Sequence, residues 1–98
     1  MKLVTWNVNS LNVRLPRLLD WLAANQPDVV ALQETKTEDA KFPHDALGAA
    51  GYVAHAYGQR TYNGVALLVR DGLAATDVAN GLPGYSDDQK RVIAATVD

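Results

Sequence analysis

Four consecutive apolar residues, Val29-Val30-Ala31-Leu32, stand between Asp28 and the polar pair Gln33-Glu34. A run this short reads as a strand over Asp28 to Glu34. Because it does not alternate with polar residues, it is expected to be buried on both sides. Such a strand needs neighbours in its sheet and a layer on each face. The residues before it supply both. Lys2 to Val8 is rich in β-branched and aromatic residues and reads as a second strand. Asn9-Ser10 follows, a pair whose short polar side chains favour helix entry or a turn. Leu15, Leu18, Leu19 and Leu22 then recur at the spacing of one buried helical face. Pro16 suits the first turn of that helix, and Asn25-Gln26-Pro27 ends it. A strand, a helix and a strand in this order predict a parallel pair joined by a right-handed crossover, with the helix on one sheet face.

The remainder predicts more strands. A polar stretch, Thr35 to Lys41, leads to a short helix opened by Pro43 and closed by Gly51. Tyr52 to Tyr57 and Val65 to Val69 read as strands joined through a loop that contains Asn63-Gly64, the dipeptide favoured in tight hairpins. Ala74 to Ala79 is a weaker strand, Asn80 to Gly84 a loop, and Arg91 to Val97 a final strand. The fold class expected is α/β, a mixed β-sheet with helices packed on one face. The last strand runs almost to Asp98 with nothing after it to cover the sheet, so the 98 residues are expected to be a piece of something larger or to assemble.

Composition narrows the chemistry. No cysteine is present, which excludes a disulfide framework, a thiolate zinc site, an iron–sulfur cluster and a catalytic thiol. Lys+Arg number 9 against Asp+Glu 11, a formal net charge of −2. A nucleic-acid partner must therefore be engaged by a local constellation instead of a basic excess. No apolar run is long enough for a membrane span and no signal-peptide pattern follows Met1-Lys2, so a cytoplasmic protein without a membrane partner is expected.

Asn7 lies near the carboxyl end of the first strand and Glu34 at that of the second. If the two strands are parallel neighbours, both side chains emerge at the sheet edge where open α/β sheets bind ligands. One carboxylate beside an amide oxygen suits a hard divalent cation such as Mg²⁺, whose shell is completed by water and phosphate oxygens. It does not suit zinc. The plainer alternatives are a solvated turn carboxylate at Glu34 and, at Asn7, an amide that satisfies loop backbone groups.

Thr5-Trp6-Asn7-Val8-Asn9-Ser10, Gln26-Pro27-Asp28-Val29-Val30, Leu32-Gln33-Glu34-Thr35-Lys36 and Tyr62-Asn63-Gly64-Val65-Ala66 occur in this order. Together they resemble the amino-terminal part of the exonuclease III family of DNA-repair nucleases, within the endonuclease/exonuclease/phosphatase superfamily. The resemblance covers residues 1–98 as the N-terminal part of such a nuclease domain, and it implies the first half of a four-layered α/β sandwich. It implies that Glu34 binds a catalytic Mg²⁺ or Mn²⁺ and that Asn7 lies against it as a second metal-site and catalytic residue. Asn9, Tyr62 and Asn63 are implied to lie along double-stranded DNA at abasic or 3′-end sites, Asn9 standing where some relatives carry an acid. Ser10 and Asn12 stand where relatives often have Gly and Arg, and Arg14 is a candidate to replace the missing charge. The implied activities are 3′→5′ exodeoxyribonuclease and abasic-site endonuclease.

The family's later catalytic Asp, Asn, Tyr and Asp-His residues have no counterpart here, so the isolated 98 residues are expected to be inactive. His44 reads as a surface residue, His55 as a satisfied strand histidine, and Asp87-Asp88 as a solvated loop pair. Two alternatives stay open: a small-phosphoester phosphatase of the same superfamily, or a non-catalytic DNA- or protein-binding module.

Overall fold

The structure, a computed structural model, describes residues 1–81 and 89–98. The end of the expected Asn80–Gly84 loop and the Asp87-Asp88 pair lie outside the described residues. The elements are β1 (Leu3–Asn7), α1 (Leu11–Asn25), β2 (Val29–Gln33), a 3₁₀ turn (Asp39–Lys41), α2 (His44–Ala49), β3 (Tyr52–Tyr57), β4 (Val65–Arg70), β5 (Ala75–Asn80) and β6 (Ile93–Val97). Only the 3₁₀ turn has no counterpart in the sequence reading. No helix among the described residues is long and apolar enough to cross a membrane.

The main sheet has the order β1-β2-β4-β3. β1 and β2 are parallel, paired from Leu3 with Val29 to Asn7 with Gln33, while β4 runs antiparallel to both β2 and β3. β2 is thus interior, as its uninterrupted apolar run requires. Alternation along the strands puts Val4 and Trp6, Val30 and Leu32, Ala66 and Leu68, and Ala54 and Ala56 on one face. These residues join one core cluster with Leu11, Leu18 and Leu22 of α1 and Leu47 of α2, so both helices cover that face. β5 and β6 form a separate antiparallel ribbon. The segment entering β6, from Arg91 to Ile93, lines a cavity with Ala31, Gln33, Val65 and Leu67 on the opposite face. β2 is therefore covered by the helices on one face, where Val30 and Leu32 are buried, and partly on the other, where Val29 is buried while Ala31 and Gln33 are half-buried. This is the mixed α/β architecture expected, with helices on one face.

One local expectation needs correction. α1 begins at Leu11, so Pro16 sits in its second turn, where the missing N–H removes a bond to the Asn12 carbonyl. The helix starts early because Ser10 and Leu11 donate their N–H groups to the carbonyls of Glu34 and Thr35, both at 2.9 Å. Ser10 precedes the helix without a side-chain cap, since the end of the neighbouring strand does that work.

Asn63-Gly64 lies where expected, in the loop that joins β3 to β4. β3 ends at Tyr57 and β4 starts at Val65, so the connection is the loop 58–64, and the Asn-Gly pair docks against another segment.

Candidate active site

Because β1 and β2 are parallel and in register, Asn7 and Gln33 end their strands side by side, and Glu34 is the next residue. Glu34 leaves the strand path with φ 53°, and its Oε2 accepts a hydrogen bond from Asn7 Nδ2. The Asn7 amide is oriented from its other end, where Oδ1 accepts the Asn9 backbone N–H at 3.1 Å. Asn9 in turn accepts a bond from Lys36, Nζ to Oδ1 at 2.6 Å. One chain of contacts thus runs from the Lys36 ammonium through two asparagines to the Glu34 carboxylate.

The backbone around these side chains is strained. Asn9, Ser10, Glu34, Lys36, Thr61 and Asn63 all adopt positive φ, and among the described non-glycine residues only Gln26 and Asp77 do so elsewhere. Each such residue costs on the order of 1–3 kcal/mol and persists only where surrounding contacts over-determine it. Those contacts come from three segments. Val8 N–H donates to the Gln33 carbonyl at 3.0 Å, continuing the ladder that Ser10 and Leu11 extend to Glu34 and Thr35. From the other side, Thr35 and Lys36 donate to the carbonyls of Gly64 (3.1 Å) and Asn63 (2.8 Å). The loop is braced from behind by Gly64 N–H on the Lys90 carbonyl at 2.8 Å and by Lys90 N–H on Gln59 Oε1 at 2.7 Å.

An open cleft of about 370 Å³ results, lined by Glu34, Lys36, Gln59, Tyr62, Asn63 and Gln89. Tyr62 and Asn63 therefore share a cleft with Glu34, and Asn9 reaches it through Asn7 and Lys36. Tyr62 is 67% exposed, its ring free to meet a ligand. His44 is exposed on α2, His55 is half-buried in β3, and Arg14 is half-buried in the first turn of α1. None of these three lines the cleft. Lys36, Gln59 and Gln89 are the cleft residues that the sequence left without a role. Lys36 stood inside the Leu-Gln-Glu-Thr-Lys block, but nothing local distinguished it from a solvated lysine.

Among the described residues no three His, Asp or Glu side chains gather to hold a metal. The donor set at the strand ends is one carboxylate with an amide beside it. This matches the few-ligand mode of Mg²⁺, which keeps several waters and takes substrate phosphate oxygens. It is the wrong set for zinc.

Residues 4–97 match the model of the endonuclease/exonuclease/phosphatase family. Exodeoxyribonuclease III of Haemophilus influenzae is 35% identical over 99 residues, an alignment that takes in 100% of this chain and 36% of that protein. A 3′-phosphatase from Neisseria, solved with a product DNA hairpin, is 53% identical with a TM-score of 0.93, over 99% of this chain and 37% of that one. An AP endonuclease from Archaeoglobus fulgidus is 38% identical with a TM-score of 0.89, over 97% of this chain and 36% of that one. The chain spans little more than a third of the length of these relatives.

Proposed function

The chain belongs to the endonuclease/exonuclease/phosphatase family, and we propose that it forms the N-terminal part of a Mg²⁺-dependent DNA-repair nuclease. Its substrate is duplex DNA, and its reaction is phosphodiester hydrolysis at a 3′ end or beside an abasic site. The observation that carries this reading is the meeting of Asn7 and Glu34 at the carboxyl ends of two parallel strands, inside the stretch that matches the family. The relatives named an exodeoxyribonuclease and an AP endonuclease support the substrate class.

Glu34 would hold Mg²⁺ or Mn²⁺, with Asn7 beside it. When bound, the ion polarises the phosphate and stabilises the charge that develops on it and on the leaving oxygen. The remaining tasks fall to this chain's own side chains. Asn7 fixes the orientation of the Glu34 carboxylate through its Nδ2, and it can do so because Asn9 N–H holds its Oδ1. Tyr62 and Asn63, on the rim, lie along the DNA backbone and orient the strand. Among the described residues that line the cleft, no histidine and no second carboxylate stands beside Glu34 to take a proton from the attacking water. The 98 residues alone are accordingly inactive.

The test is cleavage of a duplex bearing an abasic site and a recessed 3′ end, with Mg²⁺, by the full-length polypeptide that carries this sequence. Glu34→Gln should slow turnover by about 10²–10³-fold. Cleavage that is indifferent to Glu34→Gln overturns the reading, as does turnover by the isolated 98 residues for the claim of inactivity. The Neisseria relative favours a second reading, in which the ester is a 3′-terminal phosphate on DNA. A duplex ending in a 3′-phosphate distinguishes the two by whether inorganic phosphate or a nucleotide is released.

A further inference from the structure

Lys36 is the wall between two clefts. On one side it lines the Glu34 cleft. On the other it lines an adjoining cleft of about 350 Å³ with Asn12, Glu38, Lys41, Arg60 and Thr61 among others. Its backbone is held by the N–H bond to the Asn63 carbonyl at 2.8 Å, so the stem starts from a fixed point. Its ammonium meets the neutral amide oxygen of Asn9, and among the described residues it has no carboxylate partner.

Arg60 also lacks one among the described residues, whereas Lys41 is paired with Glu38 at 3.4 Å. Glu34 is held by Asn7 and Glu38 by Lys41, so in a chain of net charge −2 Lys36 and Arg60 are, among the described residues, the cleft cations without a carboxylate partner, a local anion site and not part of a general basic field.

We propose that Lys36 is a phosphate-binding residue shared by the two clefts, its charge left available by the neutrality of Asn9, and that Arg60 extends the contact along the same DNA strand. The assignment rests on the nuclease reading and adds to it a charge that acts without metal. The competing role for Lys36 is to hold Asn9 in place, which would affect turnover and leave the electrostatics of binding untouched.

The experiment is binding of the full-length polypeptide that carries this sequence, in EDTA, to a duplex carrying a tetrahydrofuran abasic analogue, followed by fluorescence anisotropy over a range of KCl. Each phosphate contact contributes roughly 0.9 to the slope of log K against log salt. Lys36→Met and Arg60→Gln should each flatten the slope by about that amount. Lys36→Arg should keep it, and so should Arg17→Gln, which removes a cation outside both clefts. Asn9→Asp should weaken binding by tying up the ammonium, and that loss should shrink in the Lys36→Met background.

An unchanged slope in Lys36→Met overturns the proposal, as does an Asn9→Asp loss of equal size in both backgrounds. Wild-type protein that cleaves DNA while Lys36→Met keeps its slope defeats this assignment alone. Wild-type protein that neither binds nor cleaves defeats the nuclease reading as well.

Discussion

The carbonyl of Gly64 accepts the backbone N–H of Thr35 at 3.1 Å, and the space where a Gly64 side chain would stand is filled by the Thr35 hydroxyl. Thr35 is 1% exposed and follows Glu34 directly, so this contact helps fix the backbone that aims the carboxylate. Gly64 also has φ 94°, which an L side chain resists. Gly64→Ala should therefore destabilise the fold by about 2–4 kcal/mol, adding left-handed strain to overpacking. Gly48, in α2, would meet nothing within 4 Å, and Gly48→Ala should stabilise by about 0.5–1 kcal/mol. Urea midpoints of the two variants, compared with wild type, check both signs.

Asn7 should act on the metal through Glu34. Removing a hydrogen-bond partner of a ligating group typically lowers metal affinity by about 10–100-fold. Asn7→Ala should therefore weaken Mn²⁺ binding by that factor while leaving thermal stability close to wild type, since Asn7 is exposed. Paramagnetic resonance of free Mn²⁺ measures the first, and a melting curve the second.

Asp28 closes the opposite end of β2. Its carboxylate accepts the Lys2 backbone N–H at 2.6 Å and pairs with the Arg70 guanidinium. The Lys2 N–H, and secondarily the Arg70 charge, hold its pKa below the ordinary 3.8. A depressed carboxylate contributes stability that is present above the ordinary value and lost as pH falls through the folded one. The stability difference between wild type and Asp28→Asn should therefore be constant at neutral pH and shrink below about pH 4. Urea titrations from pH 7 to pH 3 read it directly.

Tyr52 is buried, and its hydroxyl donates to the Pro27 carbonyl at 2.6 Å, tying β3 to the turn between α1 and β2. Tyr52→Phe leaves that carbonyl without its partner and should cost about 1–3 kcal/mol. Burial also raises the phenol above the ordinary 10.0. Its contribution is present below that value and lost as pH rises beyond it, so wild type and Tyr52→Phe should converge in stability in strong alkali. Denaturation at pH 7 and pH 11 measures both effects.

Elements governed by periodicity and composition could be read before any coordinates. β3 matches Tyr52 to Tyr57 to the residue because its bounding Gly51 and Gly58 mark the ends locally. α1 stops where Gln26 takes the left-handed conformation ahead of Pro27. Its start was misjudged, because the groups that satisfy Ser10 and Leu11 belong to Glu34 and Thr35, far along the chain. The place of Asn63-Gly64 in the loop before β4 and its capacity for positive φ were plain, but its use, to receive Thr35 and Lys36, depends on a contact between distant segments.

From residue order alone came the buried second strand, the parallel unit that leads into it, and an amide and an acid at the strand ends. Patterns of that kind reflect side-chain spacing over a few residues, which the linear chain records in full. Three-dimensional assembly decided that Lys36 would reach Asn9 and stand between two clefts with, among the described residues, only that neutral partner, and that a glycine would be needed at 64. Each of these depends on hydrogen bonds or close packing between segments more than twenty residues apart, where local propensity carries no information and only the completed sheet brings the groups together.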